Sequence, residues 1–128
     1  MTEDDEAASS TGSAMEDDLV ALGRVARLVT TGRRSGTPRA VTVGCLEEPD
    51  GSLLVAATDE STAWGLNLLD DPRCTVRHGQ RRFAAIAEPL TGPDHARAVN
   101  GLILRYGTPS EGLGRGPSFR LRPVAEPG

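Results

Sequence analysis

The sequence predicts a mainly β fold with α decoration: a small barrel of about six strands and two helices. Three observations carry that expectation. Short β-branched or apolar runs recur along the chain, separated by Gly, Pro and Asp-Gly turns. Two stretches space their apolar residues as full helices do. Aromatic residues make up just 3% of the 128 residues, so the core of this single domain must be built from Val, Leu, Ile and Ala.

Residues 1–18 hold seven acids and no base, with Ser, Gly and Ala between them, and are expected to be a disordered tail ahead of a folded domain over 19–128. Helical spacing begins near Met15–Gly23. Val25–Thr31 is the first expected strand and Arg39–Leu46 the second, with Val41, Val43 and Cys45 on one face. Glu47–Gly51 forms a turn around Asp50-Gly51. Ser52–Thr58 is a strand so continuously apolar that both faces should be buried.

Ser61–Asp71 reads as a short helix, capped by Ser61 or Thr62 and stopped by Asp71-Pro72. Arg73–His78 alternates again, with Cys74, Val76 and His78 on one side. Gln80–Glu88 is a further strand ended by Pro89. Pro93–Tyr106 is the second helix, its apolar face running through Ala96, Val99, Ile103 and Tyr106, with Leu102 beside it. Gly107–Pro117 is a loop with four glycines, and Ser118–Val124 the last strand, with Phe119 and Leu121 inward.

The net charge of -4 conceals an asymmetry. Beyond the tail, 11 acids face 14 arginines, leaving the folded part at +3 with no lysine in the chain. That surplus is too small for a nucleic-acid surface but suits a small anionic ligand. Two cysteines make no disulfide framework, and neither a secretory leader nor an apolar run of about 20 residues is present, so a cytoplasmic protein with no membrane span is expected.

The surplus is concentrated in one turn. Val29–Arg39 (VTTGRRSGTPR) joins the first two strands, and Gly32, Gly36 and Pro38 exclude a regular element there. Arginine forks, hydroxyls and backbone N–H groups in one turn are what an anionic oxygen cluster needs. Elsewhere the chemistry is sparse. Cys74 and His78 share a face, but no second Cys/His pair completes a metal site, and Cys45 belongs to the core face. His95 is expected in an exposed first helical turn.

The turn segment Leu28–Arg39, together with Gly51–Ala57, Trp64-Gly-Leu-Asn67-Leu68, Asp71–Val76 and Pro123-Val124, resembles the deazaflavin-dependent nitroreductase family of split-barrel proteins, known mainly from actinobacteria. The resemblance implies a split β-barrel that binds coenzyme F420, a deazaflavin with a phosphate and a polyglutamate tail. It implies that Arg33, Arg34, Ser35 and Arg39, with Thr31, Gly36, Thr37 and Pro38 of the same turn, take the anionic part. Ala57 and Thr58 would border the ring, Trp64 and Asn67 would adjoin the site, and Tyr106 would touch substrate or donate a proton. The activity implied is hydride transfer between reduced deazaflavin and a small organic electrophile, in a barrel that pairs as a homodimer, which the apolar Leu53–Ala57 strand permits. The same basic turn would equally accept the phosphate of FMN, and a non-catalytic module for a cofactor or another anion has the same requirements.

Overall fold

The computed structural model describes residues 15–57, 61–106 and 115–124. Residues 1–14, Thr58, most of the glycine-rich loop and the last four residues lie outside that set. A helix, α1, covers residues 15–21. It is followed by β1 (Ala26–Thr31), β2 (Pro38–Val43), β3 (Leu46–Glu47), β4 (Leu53–Ala56), α2 (Ala63–Asp70), β5 (Arg73–His78), β6 (Arg81–Leu90), α3 (Gly92–Tyr106) and β7 (Ser118–Pro123).

The seven strands form one sheet in the order β2-β1-β5-β6-β7-β4-β3, every pairing antiparallel. Its two edge strands, β2 and β3, are separated in the chain only by Gly44 and Cys45. A sheet whose edges are that close in sequence has to curl, and the result is an open barrel. The inward residues of alternate positions fill it: Leu28, Leu53, Val55, Val76, Phe119 and Leu121 are each at most 1% exposed. Trp64 of α2 tilts against Phe119, ring centroids 6.2 Å apart. One large aromatic ring at the centre and aliphatic side chains around it satisfy an aromatic-poor composition.

Seven strands and three helices differ from the six and two expected, and the reasons are local. The expected second strand is broken at Gly44–Cys45 because Tyr106 intrudes there. Its hydroxyl accepts the Cys45 N–H at 2.9 Å, and a Cβ on Gly44 would lie 2.9 Å from its ring. α1 includes residues 15–18, read from the sequence as the end of the tail. Glu16 accepts a 3.0 Å hydrogen bond from Thr42, and Asp17 pairs with Arg27 at 3.0 Å.

β6 continues through Pro89 to Leu90 rather than stopping. Its pairing with β5 ends at Ile86, so Pro89 faces a ladder on one side only, where a missing N–H is tolerated. α3 is rotated from the expected face: Ala98, Val99 and Leu102 are buried, while Ala96 is exposed. The rotation brings His95 half into the protein, its Nδ1 2.6 Å from the hydroxyl of fully buried Ser118, so His95 is not the exposed residue expected. β4 is buried as its composition predicts, between its paired strands β3 and β7 and against α3. Among the described residues, no helix is long and apolar enough to cross a membrane.

Candidate functional site

The turn between β1 and β2 closes at its base with Thr31 opposite Pro38. Two main-chain hydrogen bonds of 2.8 Å fold it back on itself: Gly32 N–H to Thr37 O, and Gly36 N–H to Gly32 O. Gly36 sits at φ 72°, the left-handed region that glycine enters without strain. A Cβ on Gly32 would lie 2.7 Å from Ser35 Oγ and 3.3 Å from Thr37 O, so a larger residue there would displace the Ser35 hydroxyl. Ser35 and Thr37 pair through their hydroxyls at 2.7 Å, and the Thr37 N–H donates to Ser35 Oγ at 3.2 Å.

Between this turn, the exposed edge of β2 and the start of α2 lies a cleft of about 770 Å³. Arg33, Arg34, Ser35 and Arg39 line its polar side; Val41, Ala63 and Trp64 form an apolar wall. α2 presents Trp64 and Asn67 to the cleft because residues three apart share a helix face. Asn67, 4% exposed, accepts hydrogen bonds through Oδ1 from both the Arg33 backbone N–H (3.3 Å) and the Arg33 guanidinium (3.1 Å). Its Nδ2 donates to Thr30 Oγ1 at 3.1 Å.

The described residues bring no carboxylate against the arginines of this cleft. Among the described residues, Arg33, Arg34 and Arg39 form no ion pair, whereas Arg27, Arg73, Arg97, Arg120 and Arg122 each lie within 4.0 Å of a carboxylate. Three cationic forks and a hydroxyl beside an apolar wall can grip an anionic group while a planar apolar body lies against the indole.

The structure thus gathers six of the sequence-expected residues, Arg33, Arg34, Ser35, Arg39, Trp64 and Asn67, around one cleft. Others fall elsewhere. Thr31 and Pro38 line a separate shallow groove with Val29, Thr75 and Ile86. Gly36 and Thr37 shape the turn rather than line the cleft. Ala57 is fully buried beneath Gly65, where a Cβ would lie 3.2 Å from its own, and Thr58 lies outside the described residues.

Tyr106 is not at the cleft. Its hydroxyl donates to Arg24 O at 2.7 Å and accepts from Cys45 N–H and from Arg105 Nε, which ties the end of α3 to the two turns beside it. Gly32 lines the cleft from within the turn, and Ala40, Val41, Thr62 and Ala63 line it without having been expected at a site. The two that come after Arg39 in the chain carried a signal in their adjacency; the two that precede Trp64 read only as a helix start.

The remaining reactive groups are packed away. Burial pushes the Cys45 thiol up to about 11 and the Cys74 thiol up to about 12. The ring of buried His78 donates from Nε2 to Gly23 O at 3.0 Å.

A family model described as F420H(2)-dependent quinone reductase matches residues 3–108. No curated protein matches the chain in sequence. Among solved structures, the fold is similar to an F420-H2 dependent reductase (FDR-A), with TM-score 0.65 and 21% identity over 77% of this chain and 94% of that one. It is similar to a structure described as a domain-swapped dimer, with TM-score 0.65 and 19% identity over 89% and 98%. It is also similar to HutZ, the heme storage protein from Vibrio cholerae, with TM-score 0.65 and 15% identity over 88% and 90%. At these identities the structural likeness establishes the fold.

Proposed function

Because this chain belongs to the F420H(2)-dependent quinone reductase family, we propose that it is an F420-dependent oxidoreductase acting on a small planar electrophile, a quinone being the first class to test. The observation that carries the reading is the convergence of Arg33, Arg34 and Arg39 on one cleft, without carboxylate partners among the described residues.

The donor set fits the cofactor. A phosphate and a glutamate tail call for several fixed cationic donors, and the turn supplies three arginines with the Ser35 hydroxyl among them. When bound, the reduced deazaflavin supplies the hydride; the chain supplies position, electrostatics and exclusion of water. Arg34 from the middle of the turn and Arg39 from the start of β2 reach the cleft and would hold the anionic part, and Arg33 adds a fork already oriented by Asn67. Trp64, Val41 and Ala63 keep water from one side of the space where a planar ring would lie.

Trp64 is the sole tryptophan and lines the cleft, so its fluorescence reports binding directly. Titration with F420 is expected to quench it with micromolar or tighter affinity, and the loaded protein to oxidise reduced F420 when a quinone is added. Binding of FMN in place of F420 would change the cofactor, and F420 binding without turnover on any quinone would reduce the protein to a carrier.

A further inference from the structure

Within that cofactor reading, on which this inference rests, we propose that Asn67 is a positioning residue, which sets the Arg33 guanidinium for an anionic ligand without touching the ligand itself. A backbone N–H and a guanidinium can only donate, so the carboxamide oxygen has to face Arg33 and the NH2 group has to face Thr30. One oxygen accepting from both the main chain and the side chain of a single residue fixes that residue at two points. The Arg33 side chain is thereby folded toward the cleft rather than free to sweep solvent, and the rest of its fork remains unpaired among the described residues.

Asn67 has little capacity left for a ligand. Both Oδ1 lone pairs are engaged, one amide hydrogen is given to Thr30, and the residue is 4% exposed. It also joins three elements at the cleft: α2 on which it sits, β1 through Thr30, and the turn through Arg33. An arginine held in its binding geometry loses less freedom when an anion arrives, and that difference appears as affinity.

A double-mutant cycle on the full-length protein separates positioning from mere support of the fold. Asn67→Ala is expected to weaken F420 binding roughly tenfold, read by Trp64 fluorescence. In an Arg33→Ala background the same change is expected to have no further effect, since nothing remains to be positioned. In the unloaded protein, Asn67→Ala should also speed hydrogen exchange at the Arg33 amide.

Asn67→Asp covers the case in which the alanine variant fails to fold. Its carboxylate can accept the same two bonds from Arg33 and a third from the Thr30 hydroxyl, so exchange protection should persist. Affinity should nevertheless fall to that of Arg33→Ala, because the added charge neutralises the fork. Equal losses from Asn67→Ala in both backgrounds, or wild-type affinity in Asn67→Asp, would overturn the assignment. If Arg33→Ala weakens binding and the cycle shows no coupling, only the Asn67 inference falls. If Arg33→Ala and Arg34→Ala both bind as wild type, the cofactor reading falls with it.

Discussion

The Tyr106 hydroxyl accepts the Cys45 backbone N–H at 2.9 Å across 61 residues of sequence and donates to Arg24 O at 2.7 Å. That oxygen is occupied by the protein itself, which gives the residue a structural duty. Tyr106→Phe is expected to cost about 1–3 kcal/mol, since the Cys45 N–H loses its acceptor in a part-buried place. F420 affinity and turnover should stay within about twofold of wild type, allowing for the spread usual among distant substitutions. A large loss of turnover at unchanged stability would return Tyr106 to the chemistry.

Two helical glycines should respond differently to alanine. At Gly65 a Cβ would meet Ala57 Cβ and Pro117 Cγ, both at 3.2 Å. Neither neighbour can swing away, so overpacking of about 1–3 kcal/mol outweighs a helix-propensity gain of about 1 kcal/mol. At Gly101 the Cβ would meet Leu46 Cδ1 at 2.5 Å, the movable end of a side chain. Leu46 can shift its rotamer, leaving Gly101→Ala near neutral. Chemical denaturation of the two variants side by side checks the order, and a Gly65→Ala protein as stable as the wild type would show that α2 has room to move outward.

The buried thiols set an alkaline limit. Burial raises Cys45 to about 11 and Cys74 to about 12 from an ordinary value of 9.0. The native state therefore holds these protons more tightly than the unfolded chain does. Their contribution is complete below pH 9.0 and declines as pH rises from there toward about 11 and about 12. Thermal midpoints followed between pH 8 and roughly 11 should fall more steeply in the wild type than in a Cys45→Ala/Cys74→Ala protein. Parallel slopes in the two proteins would show that the thiols are not the groups responsible.

Local chemistry determines the features that were readable in the sequence. The β5 boundaries at Arg73 and His78, the inward pair Phe119 and Leu121, and the arginine turn itself arise from alternation and from glycine and proline placement. The parts that were not readable depend on partners distant in the chain. Tyr106 breaks the expected second strand from the far end of α3, and β5 releases β6 before Pro89. The face of α3 turned on the rotation that brings His95 to Ser118, since an apolar count there does not distinguish Ala96 from Ala98. In the site, composition identified Arg33, Arg34 and Arg39, but their pairing with an apolar wall of Val41, Ala63 and Trp64 required the approach of α2 to the edge of β2.

The central claim is that the arginines of the β1–β2 turn bind the anionic part of F420, and the salt dependence of F420 affinity tests it most directly. Each exposed fork that grips an anion adds to the salt sensitivity, because screening weakens exposed pairs within a Debye length of about 10 Å at 0.1 M. Wild-type affinity should fall steadily with added salt. Arg34→Ala and Arg39→Ala should each bind about tenfold more weakly at low salt and show a shallower dependence. Wild-type affinity and an unchanged salt slope in both variants would contradict the account and move the cofactor away from this turn.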